Sequence, residues 1–257
     1  IFAEEAGKKI NNVLTPKEVI GLVAELIGDN KDNNSLCDPV SGSGTLLVEV
    51  GKRVGIRGAN IFGQEANWNQ YALTKMNLML NGFKDSTFFW GDSLSNPKLT
   101  DDGGLKRFDI VASIPPFADK WATEEAEFDR YGRFQYGIPP RSQATWAYIS
   151  HILASLKPNG RAVVVVPAGV LFRTSESKIR HQIIEHNLLE TVIELPQNLF
   201  YGAAISTAIL VFRKDRKTTQ TLFMDARKGY ISNKGIYKLS DTMVEQLLNT
   251  YKGFLSG

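Results

Sequence analysis

One cysteine, Cys37, in 257 residues leaves no partner for an internal disulfide. That fits a chain kept in a reducing compartment, and a cytoplasmic location is expected. No apolar run approaches the length of a membrane span; the longest, from Ala162 to Pro167, suits a buried strand. No signal-peptide pattern is read, and no membrane partner is expected. Strong charge of one sign is missing too. The formal net charge of +3 permits an acidic partner such as DNA without requiring one. Internal repeats and low-complexity segments are absent. The three histidines, His151, His181 and His186, show no metal-ligand spacing with Cys37, so no metal is expected. The chain starts at Ile1 rather than Met, which leads us to expect a fragment of a longer protein that lacks its flanking domains.

What is present is one domain's worth of alternating strand and helix patterns. Thr15 suits an N-cap and Pro16 a first helical position, followed by the apolar face of Val19, Ile20, Val23, Leu26 and Ile27. Strand patterns occur near residues 35–37, 59–65, 86–90, 108–112, 161–166 and 189–195, with helices near 67–80, 143–156 and 176–186 between them. Two further strands, 205–212 and 221–224, follow each other without a helix, so antiparallel pairing is expected there. A helix over 240–251 ends the chain. The pattern predicts an α/β, Rossmann-like fold with a mostly parallel sheet, helices on both faces and antiparallel strands near the C-terminal end.

In such a sheet, ligands sit beyond the carboxyl ends of the strands. The chemically informative residues fall there. Asp38, Pro39, Val40, Ser41, Gly42, Ser43 and Gly44 form a strand-to-helix turn with two glycines. Its free N–H groups favour a negative group, and its bare backbone admits close approach. Asp38 can face an ammonium group or cap the turn. Glu65 ends the second strand pattern about twenty residues on, where an acid can hold a ribose diol or offset a helix dipole. Asp92 follows the third strand pattern and can accept from an adenine amino group or cap a turn. A dinucleotide would satisfy the first two features. However, Leu47 stands where the dinucleotide fingerprint has its third glycine or alanine. After the fourth strand pattern come Ser113, Ile114, Pro115, Pro116 and Phe117. Consecutive prolines remove two donors and leave carbonyls free to accept beside an aromatic ring.

Together these segments resemble the modification (M) subunit of type I restriction-modification systems, an adenine-N6 DNA methyltransferase family. The resemblance covers nearly the whole chain. It includes Thr15 to Val19, Asp38 to Gly44, Gly63 to Glu65, Gly91 to Leu94, Phe108 to Val111 with Pro115 to Phe117, Gly160 to Pro167, Gly169 to Arg173 and Leu195 to Gly202. It implies a Rossmann-like S-adenosylmethionine-dependent methyltransferase domain over 1–257. Thr15, Asp38, Pro39, Ser41, Gly42, Gly44, Glu65 and Asp92 would hold the cofactor, S-adenosyl-L-methionine. Pro115, Pro116 and Phe117 would hold a flipped adenine. The implied partners are double-stranded DNA, a specificity (S) subunit, a restriction (R) subunit and, as an open option, a second M subunit, in a bacterial or archaeal cytoplasm.

The chain departs from the family pattern at three places. Ile114 stands at the position of the family's catalytic Asn. Asn11 to Leu14 replace a Gly/Glu-rich stretch, and Thr145 precedes Trp146 where an acid is common. The Ile114 substitution supports a second expectation, a catalytically weakened subunit that binds cofactor and DNA and supports assembly. A small-molecule methyltransferase is a third. The insertion at 118–141 interleaves Lys120, Arg130, Arg133 and Arg141 with Trp121, Phe128, Tyr131, Phe134 and Tyr136, and is expected to contact DNA or to pack as an ordinary surface loop. Arg213 to Lys217 reads as a solvated turn, with DNA contact there as the alternative.

Overall fold

The computed structural model describes residues 15–28, 34–200, 205–233 and 236–256. The elements run in chain order as α1 (Lys17–Ile27), β1 (Leu36–Asp38), α2 (Thr45–Val54), β2 (Ile61–Glu65), α3 (Trp68–Leu80) and β3 (Thr87–Trp90). They continue with β4 (Thr100–Asp101), β5 (Gly104–Leu105), β6 (Phe108–Ser113), α4 (Glu124–Glu127), α5 (Thr145–Ala154), β7 (Leu156–Pro167) and α6 (Ser177–Glu185). The last are β8 (Leu189–Glu194), β9 (Thr207–Arg213), β10 (Leu222–Asp225), β11 (Tyr230–Asn233), β12 (Ile236–Leu239) and α7 (Asp241–Ser256).

Eight strands form one sheet in the order β3-β2-β1-β6-β7-β9-β8-β10. All neighbours are parallel except β9, which runs antiparallel to both β7 and β8. The expected antiparallel pairing near the C-terminal end is therefore met by β9. It fails for β10, which crosses beyond β8 and pairs with it in parallel. The β4–β5 and β11–β12 hairpins were not evident as strands in the sequence.

Both faces of the sheet are covered, and the central strands show why their sequences are continuously apolar. Along β7, Val163 and Val165 join one core with α1, α2 and α7. Ala162, Val164 and Val166 join another with α5 and α6. α1 begins differently from expectation. Pro16, not Thr15, occupies the position before the first helical residue, and no side chain caps it. Instead the Pro16 carbonyl accepts from the N–H groups of Val19 and Ile20, each at 3.1 Å. Asn11 to Leu14 lie outside the described residues, as do Tyr201 and Gly202.

Two polar networks fasten the far side of the sheet. Buried Glu190 accepts from the Tyr251 hydroxyl at 2.7 Å and faces Arg213 at 3.5 Å, which docks α7 on the sheet. Arg216 donates to Asn187 Oδ1 and to the carbonyls of Leu189 and Gln220, and Lys214 donates to Leu156. The segment read as a solvated turn thus ties β8, β9 and the approach to β10 together. Tyr251→Phe removes the hydroxyl donor from buried Glu190, and we expect a loss of about 1–3 kcal/mol in urea unfolding. No change in the unfolding midpoint would show that this bond does not hold α7.

Candidate active site

The carboxyl ends of β1, β2, β3 and β6 meet at one rim, where the strand order reverses between β1 and β6. The glycine turn leaves β1 here. Gly42 and Gly44 both have left-handed backbones, with φ of 55° and 74°. A side chain at Gly42 would meet nothing within 4 Å, so this face of the turn is open to a ligand. A Cβ at Gly44 would lie 2.5 Å from Thr74 Cγ2, so glycine is required there by α3. At Gly63 a Cβ would collide with the Phe88 ring and lie 2.6 Å from Ser41 Oγ. That glycine lets the turn rest directly on β2.

The turn's carbonyls are held from outside. Thr74 Oγ1 donates to Gly42 at 2.6 Å, Asn77 Nδ2 to Ser43 at 3.1 Å, and the Ser93 hydroxyl to Pro39. Ser41 folds back on the Asp38 carbonyl at 2.7 Å, and its N–H donates to the Gln64 carbonyl at 3.1 Å. Buried Gln64 in turn holds the segment after Asp92, accepting from Lys98 N and donating to the Asn96 carbonyl, both at 2.9 Å.

The negative group expected at the turn is present in the chain itself. Glu65 Oε2 accepts from the Gly42 N–H at 2.8 Å, and Oε1 accepts from the Asn67 N–H at 2.8 Å. Burial raises the Glu65 pKa, backbone hydrogen bonds pull it back, and Asp92 raises it further. Asp38 is almost wholly buried. Its Oδ1 accepts from the Ser113 hydroxyl at 2.7 Å and from the Val40 N–H at 3.0 Å. Burial pushes its pKa up to about 7, opposed by those two hydrogen bonds and assisted by Glu65. Asp92 Oδ1 takes the N–H groups of Leu94 at 2.6 Å and Ser95 at 3.1 Å, so the turn uses one of its two oxygens. Burial and Asp92 together raise Asp119. Burial, helped by the charges of Asp92, Asp119 and Glu65, raises the Tyr148 hydroxyl. A rim of carboxyls held above their usual pKa values favours a cation.

The Pro115–Phe117 segment continues from Ser113, the residue that holds Asp38. Pro115 is buried, and Pro116 and Phe117 are half-buried. The carbonyls of Pro115, Pro116 and Phe117 accept no hydrogen bond from any described residue. The Phe117 ring meets Phe200 edge-on at 5.3 Å. The half-buried Ile114 side chain packs on the core and supplies no acceptor. Thr15 is half-buried just before α1 and makes no hydrogen bond to the rim among the described residues. Sequence reasoning missed Ser113, Thr74, Asn77, Ser93 and Gln64. Gln64 and Ser93 lie within resemblance segments but had no role assigned, and Thr74, Asn77 and Ser113 carried only their polar identity on a helix or at a strand end.

The 118–141 insertion does not hang free. Trp121 stacks on Phe134 with centroids 5.0 Å apart, and both pack with Leu94, Val40, Ala147 and Tyr148. Tyr136 and Arg133 are buried, leaving Phe128, 87% exposed, as its outermost ring. The segment carries five acidic and four basic side chains, so it is not a basic patch. Neighbouring His151 is buried, and desolvation with Arg133 lowers its pKa to about 3, so it is neutral. Among the described residues no group of His, Cys, Asp and Glu has the arrangement of a metal site, and no helix is long and apolar enough to cross a membrane.

The N-6 DNA Methylase family model matches residues 1–255. The type I restriction enzyme MjaVIII methylase subunit of Methanocaldococcus jannaschii is 33% identical over 98% of this chain and 46% of its own length. The HindI methylase subunit of Haemophilus influenzae is 30% identical over 94% of this chain and 57% of its own. The chain therefore spans about half the length of the curated relatives it matches. Among solved structures, the type I restriction-modification methyltransferase subunit of Streptococcus thermophilus superposes with a TM-score of 0.86 at 31% identity, over 94% of this chain and 52% of that one. A Listeria monocytogenes protein assigned as a class I S-adenosylmethionine-dependent methyltransferase shares the fold at a TM-score of 0.74 and 21% identity, over 96% of this chain and 73% of that one. With the model matched from end to end and the turn, acids and proline segment gathered on one rim, the chain belongs to the N-6 DNA methylase family.

Proposed function

We propose that this chain is the catalytic part of a type I restriction-modification M subunit, transferring a methyl group from S-adenosylmethionine to N6 of an adenine flipped out of double-stranded DNA. One observation carries the choice of cofactor. The Gly42 N–H, which would receive a pyrophosphate in a dinucleotide site, already holds the Glu65 carboxylate. A phosphate brought to that N–H would face a carboxylate, whereas a ribose diol would find an acceptor. The raised carboxyls of Asp38 and Glu65 favour a ligand with positive charge. These residues fit the cofactor: Glu65 for the ribose, Asp92 for the adenine amino group, and Asp38, Pro39, Ser41, Gly42, Gly44 and Thr15 around the remainder. When bound, S-adenosylmethionine supplies an electrophilic methyl on a sulfonium.

The chain's own residues orient the acceptor. The free Pro115 carbonyl accepts a hydrogen bond from the adenine amino group, and Phe117 offers an aromatic surface to the base. As the N6–methyl bond formed, the S–methyl bond would break to leave the neutral thioether S-adenosylhomocysteine. N6 would become positive and lose a proton to water; a hydrogen-bond acceptor at that nitrogen would favour this charge development. Ile114 removes the side-chain half of this arrangement, so the chain is a slow version of its family's catalyst. The S and R subunits are its partners, with a second M subunit a further one. The setting is a bacterial or archaeal cytoplasm, and sequence specificity comes from the S subunit.

Three tests follow. Calorimetric titration should show S-adenosylmethionine binding that Glu65→Ala weakens about 10–100-fold, the effect of removing a charged hydrogen-bonding partner. Preferential binding of NAD would overturn the assignment. A cationic ligand lowers the Asp38 pKa on binding. At about pH 6, below its free value, binding should therefore release protons, a signal that Asp38→Asn reduces. Titrations in buffers of different ionisation heat measure this, and equal release by both proteins would exclude Asp38 as the source. Ile114→Asn should raise methyl transfer in the assembled complex by about 10²–10³-fold, as restoring one preorganised contact does. Equal rates would show that this position is not limiting.

A further inference from the structure

Arg133 is far from the glycine turn in sequence and lies in the insertion, yet its side chain is only 4% exposed. Its Nε donates to Asp129 Oδ1 at 2.8 Å, and its backbone N–H donates to Asp129 Oδ2 at 2.5 Å. That leaves the far end of the guanidinium directed away from its own loop. Nη1 donates to the Leu94 carbonyl at 2.8 Å and the Ser93 carbonyl at 3.3 Å. The guanidinium is flanked by the rings of Tyr131 and Phe134, at 5.5 and 5.2 Å from their centroids. Ser93 and Leu94 directly follow Asp92, and the Leu94 N–H is one of the two donors that hold the Asp92 carboxylate. Leu94 itself packs with Trp121, Ala126 and Tyr148. A buried arginine is costly unless its donors are used. Here they are spent on the turn that aims Asp92.

We propose that Arg133 is a positioning residue for the adenine end of the cofactor pocket. By gripping the Ser93 and Leu94 carbonyls it holds the turn that orients the Asp92 carboxylate, and it makes the insertion a structural part of the cofactor site. This rests on the reading of the site as an adenosine pocket given above. A lysine cannot replace it, because one ammonium on a flexible stem cannot meet Asp129 and two carbonyls in a fixed fork.

The test compares S-adenosylhomocysteine with its analogue lacking the 6-amino group, on the full chain, by calorimetry. Arg133→Ala should weaken S-adenosylhomocysteine about 10–100-fold, since buried polar groups are left unpaired. It should barely change binding of the analogue, which has no amino group for Asp92 to read. Equal losses for both ligands, or none for either, would overturn the proposal and leave Arg133 a packing residue. If Arg133→Ala does not fold, Arg133→Lys and Asp129→Asn carry the same comparison. Each should show the larger loss for the amino-bearing ligand, and equal effects on the two ligands would again overturn it. Wild-type protein that binds neither ligand would remove the adenosine reading itself, a result distinct from failure of the Arg133 comparison.

Discussion

The 2.8 Å hydrogen bond from the Gly42 N–H to the Glu65 carboxylate is the constraint on which the rim of the sheet depends. It joins the turn after β1 to Glu65 at the end of β2. The glycine at 63 and the clamps from Thr74, Asn77 and Ser93 leave the turn little freedom to move away from it. The bond also decides the sign of the pocket. An open glycine turn attracts anions. One already holding a carboxylate, with Asp38 and Asp119 also held above their usual pKa values, presents the opposite preference. The same local motif thus changes its chemistry through one partner.

A second bond carries that organisation to the acceptor side. Asp38 ends β1 and Ser113 ends β6, and their 2.7 Å contact sets the start of the Pro115–Phe117 segment against the turn. That anchor fixes the strand end from which the Pro115–Phe117 segment, with carbonyls unpaired among the described residues, departs. The insertion completes the arrangement from the other flank. Its buried aromatics share a small core with Val40, from the loop after β1, and Leu94, from the loop after β3. Trp121, Arg133 and Tyr136 are buried, while Lys120, Phe128 and Arg141 are exposed.

Much of the fold was legible because its signals are local. The apolar run of β7 reads as a strand buried on both faces, and Val163 and Val164 do face opposite cores. The glycines at 42 and 44 marked a tight strand-to-helix turn with a bare backbone, and both have positive φ. The errors have physical reasons as well. Thr15 has the chemistry of a cap, but the Pro16 carbonyl already accepts the first helical N–H groups. β10 looked like the second arm of a hairpin, yet the chain crosses β8 and finds a parallel edge. Arg133 belongs to an insertion expected to contact DNA or to pack as a surface loop, and Asp129, four residues before it, and the carbonyls of Ser93 and Leu94 draw its side chain inward.

By itself the sequence determined which elements form and which chemical groups stand at the strand ends, since periodicity and turn chemistry act over a few residues. Tertiary structure alone decided what those groups do. Gly42 and Glu65 are separated by 23 residues, Leu94 and Arg133 by 39, and Asp38 and Ser113 by 75. No local pattern encodes such pairings. They arise when parallel strands are laid side by side and bring their carboxyl ends to one rim, where each buried carboxylate must find a donor.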